Sequence, residues 1–259
     1  MRTCSVVAVA VLSVVGTGCS SRTSGSRKVR IAAAAGLEKA FTALGKEFES
    51  RTKIAPQLTF GSSGLLSKQI EQGAPFFLFA AANKEFAEAA VKAGRCDGSS
   101  ARLYARGRIV VWTASGGPAP VKLADLAKPE FKRIAIANPE HAPYGLAAKQ
   151  ALEKAGIWAE IEPRLVLGDN IQATMLYAKE RNVDAALVAL SLAVVNDGGT
   201  SLAIDPSMHD PLDQELVVCG TGEEADAARQ FADFVMSREG REVMSRYGFQ
   251  LPPTAKPEP

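Results

Sequence analysis

From residue 29 onward the chain alternates short apolar runs with amphipathic stretches. Residues 29–35 (VRIAAAA) predict a strand. Leu37, Ala40, Phe41, Leu44 and Phe48 then recur at helical spacing, with Glu38, Lys39, Lys46 and Glu47 on the other side, which predicts an amphipathic helix. A strand at 57–60 and a helix at 65–72 repeat the pair, as do 77–81 and 86–93. The alternation continues through 108–113, 133–137, 145–155, 164–167, 171–179 and 185–188. Repeated βα units of this kind imply an α/β protein with parallel sheets and helices on both faces.

Two apolar runs stand apart: Arg108-Ile109-Val110-Val111-Trp112 and Glu215-Leu216-Val217-Val218. Each follows a looser, polar segment, and they read as two crossings between lobes. The first lobe would then comprise 28–107 and 216–252, the second 108–215, with 253–259 as a tail. Ligands of α/β proteins bind between domains and at the carboxyl ends of parallel strands, so the interlobe cleft is where chemistry is expected.

Residues 1–18 (MRTCSVVAVAVLSVVGTG) have one Arg, a short apolar run and then small residues, the layout of a secretory signal. The segment is too short to span a membrane. Cys19 follows small residues in a context that resembles the lipobox of bacterial lipoproteins, with Gly16 where Leu is usual. An exported protein, periplasmic or at the cell surface, is expected, lipid-anchored through Cys19 on a flexible tether over 19–27. Cleavage by the general signal peptidase is the alternative. Beyond the leader, Cys96 and Cys219 either pair, as an oxidising compartment allows, or leave Cys219 a buried thiol at the end of its apolar run.

Composition removes several classes of function. Hydrophobic residues make up 47%, charged residues 22% and aromatic residues 7%, ordinary for a soluble α/β protein. The formal net charge is +2 and the basic residues are scattered, which argues against a nucleic-acid surface. Two histidines and no paired-Cys spacing leave no metal site to propose, and no cofactor is expected. The chain has no GxSxG, P-loop or HExxH, so no nucleophile and base stand in a recognisable arrangement and no enzyme is expected.

The informative residues lie in the strand-to-helix turns. Ala32-Ala33-Ala34-Ala35-Gly36, Gly61-Ser62-Ser63-Gly64, Ala142-Pro143-Tyr144-Gly145 and Gly168-Asp169-Asn170-Ile171 each precede a helix. Small residues there leave first-turn N–H groups open to a ligand, and the helix dipole favours an anion. Each turn taken alone reads first as an ordinary cap, and no single turn carries the case. Four of them facing one cleft would enclose a small tetrahedral oxyanion with neutral donors.

Taken in order, these turns resemble those of the molybdate-binding proteins of ABC importers, within the two-lobed type II periplasmic-binding fold. The segments that carry the likeness include Phe60-Gly61-Ser62-Ser63-Gly64, Lys68-Gln69-Ile70-Glu71-Gln72-Gly73-Ala74-Pro75, Asn138-Pro139-Glu140-His141-Ala142-Pro143-Tyr144-Gly145 and Asp169-Asn170-Ile171. The resemblance implies a monomeric binding protein for molybdate or tungstate that delivers its ligand to a membrane permease. Another oxyanion or a small organic acid is the alternative ligand. It assigns the anion to Gly36, Ser63, Tyr144 and Ile171, with Ser62 and Ala189 as further cleft residues. Gly36 stands where the family has a hydroxyl or amide side chain, and Ala189 where some members have Tyr. Phe76 to Phe79 and Ala82-Asn83 replace segments that each usually carry an aspartate beside the cleft or hinge.

Overall fold

The structure, a computed structural model, describes residues 27–252. The expected leader at 1–18, the expected lipidation site Cys19, the tether up to residue 26 and the tail at 253–259 lie outside the described residues. Strand β1 (Arg27–Ala34) leads through a single 3₁₀ turn into α1 (Glu38–Thr52). Then follow β2 (Ile54–Gly61), α2 (Ser63–Glu71), β3 (Leu78–Ala80), α3 (Lys84–Lys92) and β4 (Cys96–Gly107). The second half of the alternation runs β5 (Ile109–Ala114), β6 (Ile134–Ala137), α4 (Pro143–Lys154), α5 (Trp158–Ile161), β7 (Leu165–Gly168) and α6 (Ile171–Lys179). It continues with β8 (Ala185–Ala189), α7 (Leu190–Ala193) and β9 (Gly199–Ala203), before β10 (Leu212–Cys219), α8 (Glu223–Met236) and α9 (Arg238–Arg246).

Two five-stranded sheets result, ordered β2-β1-β3-β10-β4 and β7-β6-β8-β5-β9. Both are mixed, not wholly parallel as the βα pattern implied. In the first, β1 runs parallel to β2 and β3, while β10 is antiparallel to β3 and β4. In the second, β6 is parallel to β7 and β8, while β5 is antiparallel to β8 and β9. The antiparallel members are the strands that flank the crossings: β4 passes to β5 through Arg108 alone, and β9 returns to β10 through 204–211. A strand that arrives from the other lobe enters the sheet against the βα direction.

The second crossing therefore lies earlier than expected. Leu212 to Glu215, assigned to the second lobe from the sequence, pair with β4 in the first sheet. The burial of β10 explains the difference, because its first four residues alternate in burial and only its last four are buried throughout. The apolar run marks the half of the strand covered on both faces. Strand β4 also replaces what read as a loose polar segment. It is an edge strand with a partly solvated face, paired to β10 with two register shifts.

The face of α1 is as its periodicity predicts: Ala40, Phe41, Leu44 and Phe48 are buried, as is the preceding Leu37. Phe231 of α8 meets Phe41 and Phe48 edge-on at 5.7 and 5.2 Å, which locks α1 and α8 onto one side of the first sheet. Burying each such ring contributes about 1.5–3 kcal/mol. Cys96 and Cys219 are register partners at the ends of β4 and β10 and form a disulfide, so the pairing alternative holds.

Register also positions the cleft. Ala34 pairs with Gly61 and Ala33 with Ala80, so β1, β2 and β3 end at one level. In the second sheet Ala137 pairs with Gly168, which brings β6 and β7 to a common end. The turns that follow these strands face one another across the lobes.

Candidate functional site

Between the lobes lies a small cavity of about 10 Å³, walled by residues that follow those strand ends. The first lobe supplies Ala34 to Gly36, Gly61 to Ser63 and Ala82, and the second supplies Ala142 to Tyr144 with Asn170 and Ile171. No lining residue is charged. Gly36, Ser62, Ser63, Tyr144 and Ile171 are thus brought together. Ala189 is fully buried and stands behind the lining: a Cβ placed on Gly36 would lie 3.5 Å from Ile171 Cγ2 and from the Tyr144 ring, and 3.8 Å from Ala189 Cβ. These are ordinary contacts, so the first turn has room for a small side chain even though it carries none.

The first-turn N–H groups of α2, α4 and α6 have no acceptor inside their own helices. On α6 the Asn170 side chain accepts from Gln172 N at 2.9 Å and Ala173 N at 3.0 Å, which leaves the N–H of Ile171 to the cavity side. On α4, Pro143 has no N–H and Gly145 N donates to Ala142 O at 2.9 Å, which leaves that of Tyr144. On α2, Gly64 N donates across the cleft to His141 O at 2.9 Å, and Ser63 occupies the position before it. Of the four predicted backbone donors, those of Ser63, Tyr144 and Ile171 are left open by the local caps.

Ser63 adds a side chain. Its Oγ accepts from Ala82 N at 3.0 Å, which orients the oxygen and leaves the hydroxyl proton to donate. Ser63 is 1% exposed. The hydroxyl of Ser62 is committed elsewhere: it donates to His141 O and meets His141 Nδ1 at 2.9 Å. Ser62 lines the cavity, but its side chain spans the lobes.

A buried polar relay escaped the sequence reading. Gln214 of β10 donates through Nε2 to the Tyr144 hydroxyl at 2.8 Å and accepts through Oε1 from the Tyr104 hydroxyl at 3.0 Å. Burial drives both phenols well above their usual titration range, so both stay neutral. The relay anchors the Tyr144 side chain in the first lobe while its backbone heads a second-lobe helix. Gly107, where β4 ends, makes this possible, because a Cβ there would collide with the Tyr144 hydroxyl and lie 2.8 Å from Gln214 Nε2. Gln214 falls in the polar segment just before the apolar run of β10, and no local signal separates it from a surface glutamine. Ser191 closes a further bond between the lobes, donating to Gly36 O at 3.0 Å.

The segments that depart from the family pattern separate in space. Ala82 lines the cavity. Asn83 heads α3, and its Oδ1 is buried with no partner among the described residues. Phe76 packs away from the cavity, in the apolar cluster that holds Cys219 and Ile70.

Residues 29–250 match the family of bacterial extracellular solute-binding proteins. The molybdate-binding protein ModA of Rhodobacter capsulatus is 33% identical over 222 residues, which cover 86% of this chain and 88% of that protein. The solved periplasmic molybdate-binding protein of Azotobacter vinelandii aligns with a TM-score of 0.81 at 26% identity, covering 87% of this chain and 100% of that one. The sulfate-binding protein SubI of Mycobacterium tuberculosis shares the fold, with a TM-score of 0.74 at 16% identity over 87% of each chain. Since the match spans both sheets and every turn at the cavity, this chain belongs to the bacterial extracellular solute-binding protein family.

Proposed function

We propose that this protein binds molybdate or tungstate in the interlobe cavity and delivers it, as a monomer and without catalysing a reaction, to the membrane permease of an ABC importer. The observation that carries this reading is a neutral cradle: three helix N-termini from two lobes, plus the Ser63 hydroxyl, around a cavity without a charged side chain. Fixed dipoles of that kind stabilise an oxyanion without the desolvation cost of a buried counter-charge. The names of the Rhodobacter and Azotobacter relatives support the choice of ligand. The anion touches Ser63, Tyr144 and Ile171 through N–H groups, Ser63 also through its hydroxyl, and Gly36 through its backbone alone. Cavity size separates molybdate from sulfate, since both are tetrahedral dianions with the same acceptors. Lipid attachment through Cys19 keeps the protein beside its permease.

Thermal unfolding with molybdate, tungstate, sulfate, phosphate or no ligand tests the reading. A ligand at 100 times its Kd stabilises by about 2.7 kcal/mol, roughly 5–10 °C for a chain of this size. That rise is expected with molybdate and tungstate and not with the smaller anions. A rise with sulfate or phosphate alone would keep the cradle and replace the ligand. No rise with any of the four would overturn the oxyanion reading.

A further inference from the structure

His141 belongs to the second lobe, in the loop just before α4, yet three of its bonds end on the first lobe. Its carbonyl oxygen accepts from the Ser62 hydroxyl and, at 2.9 Å, from Gly64 N, while its Nδ1 lies 2.9 Å from Ser62 Oγ. Because the single Ser62 proton goes to the carbonyl, the imidazole must present N–H at Nδ1. Both the neutral Nδ1–H tautomer and the imidazolium meet that requirement. The loop is held in shape before it reaches across: Ala142 N donates to Asn138 O at 2.9 Å and Glu140 N to Asn138 Oδ1 at 3.0 Å. Gly64 permits the approach, since a Cβ there would lie 2.7 Å from His141 O and 2.9 Å from His141 Cβ.

These bonds form only when the lobes meet, and they sit one residue from Ser63 on one side and three from Tyr144 on the other. We propose that His141 is the closure latch of this protein, a positioning residue that sets how long the anion stays without touching it. The inference rests on the oxyanion reading above. The latch biases the open–closed equilibrium toward closure with or without the anion, and once an anion bridges both lobes the two-sided bond must break before release. Its effect therefore falls on the dissociation rate, where differences within one interface concentrate.

Stopped-flow measurement of molybdate association and dissociation tests this in the wild type, His141→Ala, His141→Asn, Ser62→Ala and the Ser62→Ala/His141→Ala double variant. His141→Ala and Ser62→Ala should each speed release about tenfold and change association by less than about twofold. The double variant should release no faster than the faster single one, since both remove one coupled unit. His141→Asn, whose amide N–H replaces Nδ1–H, should restore slow release. Additive effects, an unchanged release rate in His141→Ala, or an Asn variant as fast as the Ala variant would overturn the latch. If the wild type does not bind molybdate, the ligand reading falls, and X-ray scattering of the ligand-free proteins decides the latch alone. A larger radius of gyration in His141→Ala than in the wild type and His141→Asn supports it, and equal values overturn it.

Discussion

Ser63 is where a single side-chain atom does work that the surrounding backbone cannot repeat. The donors proposed at Gly36, Tyr144 and Ile171 are main-chain groups, so most substitutions leave them in place. The Ser63 hydroxyl accepts from Ala82 N, which leaves its proton free to serve the proposed anion as a neutral donor. A hydrogen bond to a charged group is worth about 1.5–3 kcal/mol, so Ser63→Ala should weaken oxyanion binding by roughly 10- to 100-fold. Calorimetric titration reads this directly, and a loss of less than threefold would place the anion elsewhere. The Ser62 hydroxyl, one residue away, is already spent on His141. Under these proposals, adjacent serines on one turn divide the tasks of binding and closure. The sequence shows both hydroxyls but not which partner each has.

At the scale of elements, caps decide both which donors are open and how the second lobe responds to acid. The 3₁₀ turn Leu123–Ala127 is held by Asp125, whose carboxylate receives Lys128 at 3.0 Å and the backbone N–H groups of Lys122 and Val121 at 3.0 and 2.9 Å. Lys128 first, and then those N–H groups, lower its pKa from 3.8 to about 2. A carboxylate whose pKa is lower folded than unfolded binds protons more readily in the unfolded chain. Its stabilisation is complete above the unfolded value, near 3.8, and is lost as pH falls through about 2. Asp125→Asn should therefore lower the melting temperature at pH 7, and the gap to the wild type should close between about pH 4 and pH 2. Denaturation curves at pH 7, 4 and 2 check it, and a gap that is constant with pH would show that the capping charge is irrelevant. This device was not legible in the sequence, because Asp125 and Lys128 look like any solvated pair at i,i+3. By contrast, Asn170 was legible as an N-cap, and the structure shows it serving Gln172 and Ala173.

Taken whole, the molecule closes its first lobe with chain from both ends. The Cys96–Cys219 bond ties β4 to β10 across a sequence separation of 123 residues. Crosslinks that close loops of this length contribute roughly 2–5 kcal/mol, which corresponds to about 5–15 °C in a chain of this size. Reductant should lower the melting temperature by that amount and leave the cavity largely as it is, since neither cysteine lines it. Calorimetric scans with and without reductant measure the first effect, and a midpoint that does not move would show that the bond adds nothing to stability.

The sequence alone determined what depends on near neighbours: the βα alternation, the buried face of α1, the four small-residue turns at strand ends and the crossing at Arg108. Apolar periodicity and capping chemistry act over a few residues, so they are readable without the fold. The tertiary structure alone decided which strands run antiparallel, where β10 begins, the Gln214 relay, the disulfide, and the pairing of His141 with Ser62. Each of these joins positions tens to more than a hundred residues apart. Their energy comes from burial and from partners that exist only once the two lobes have been built and brought face to face.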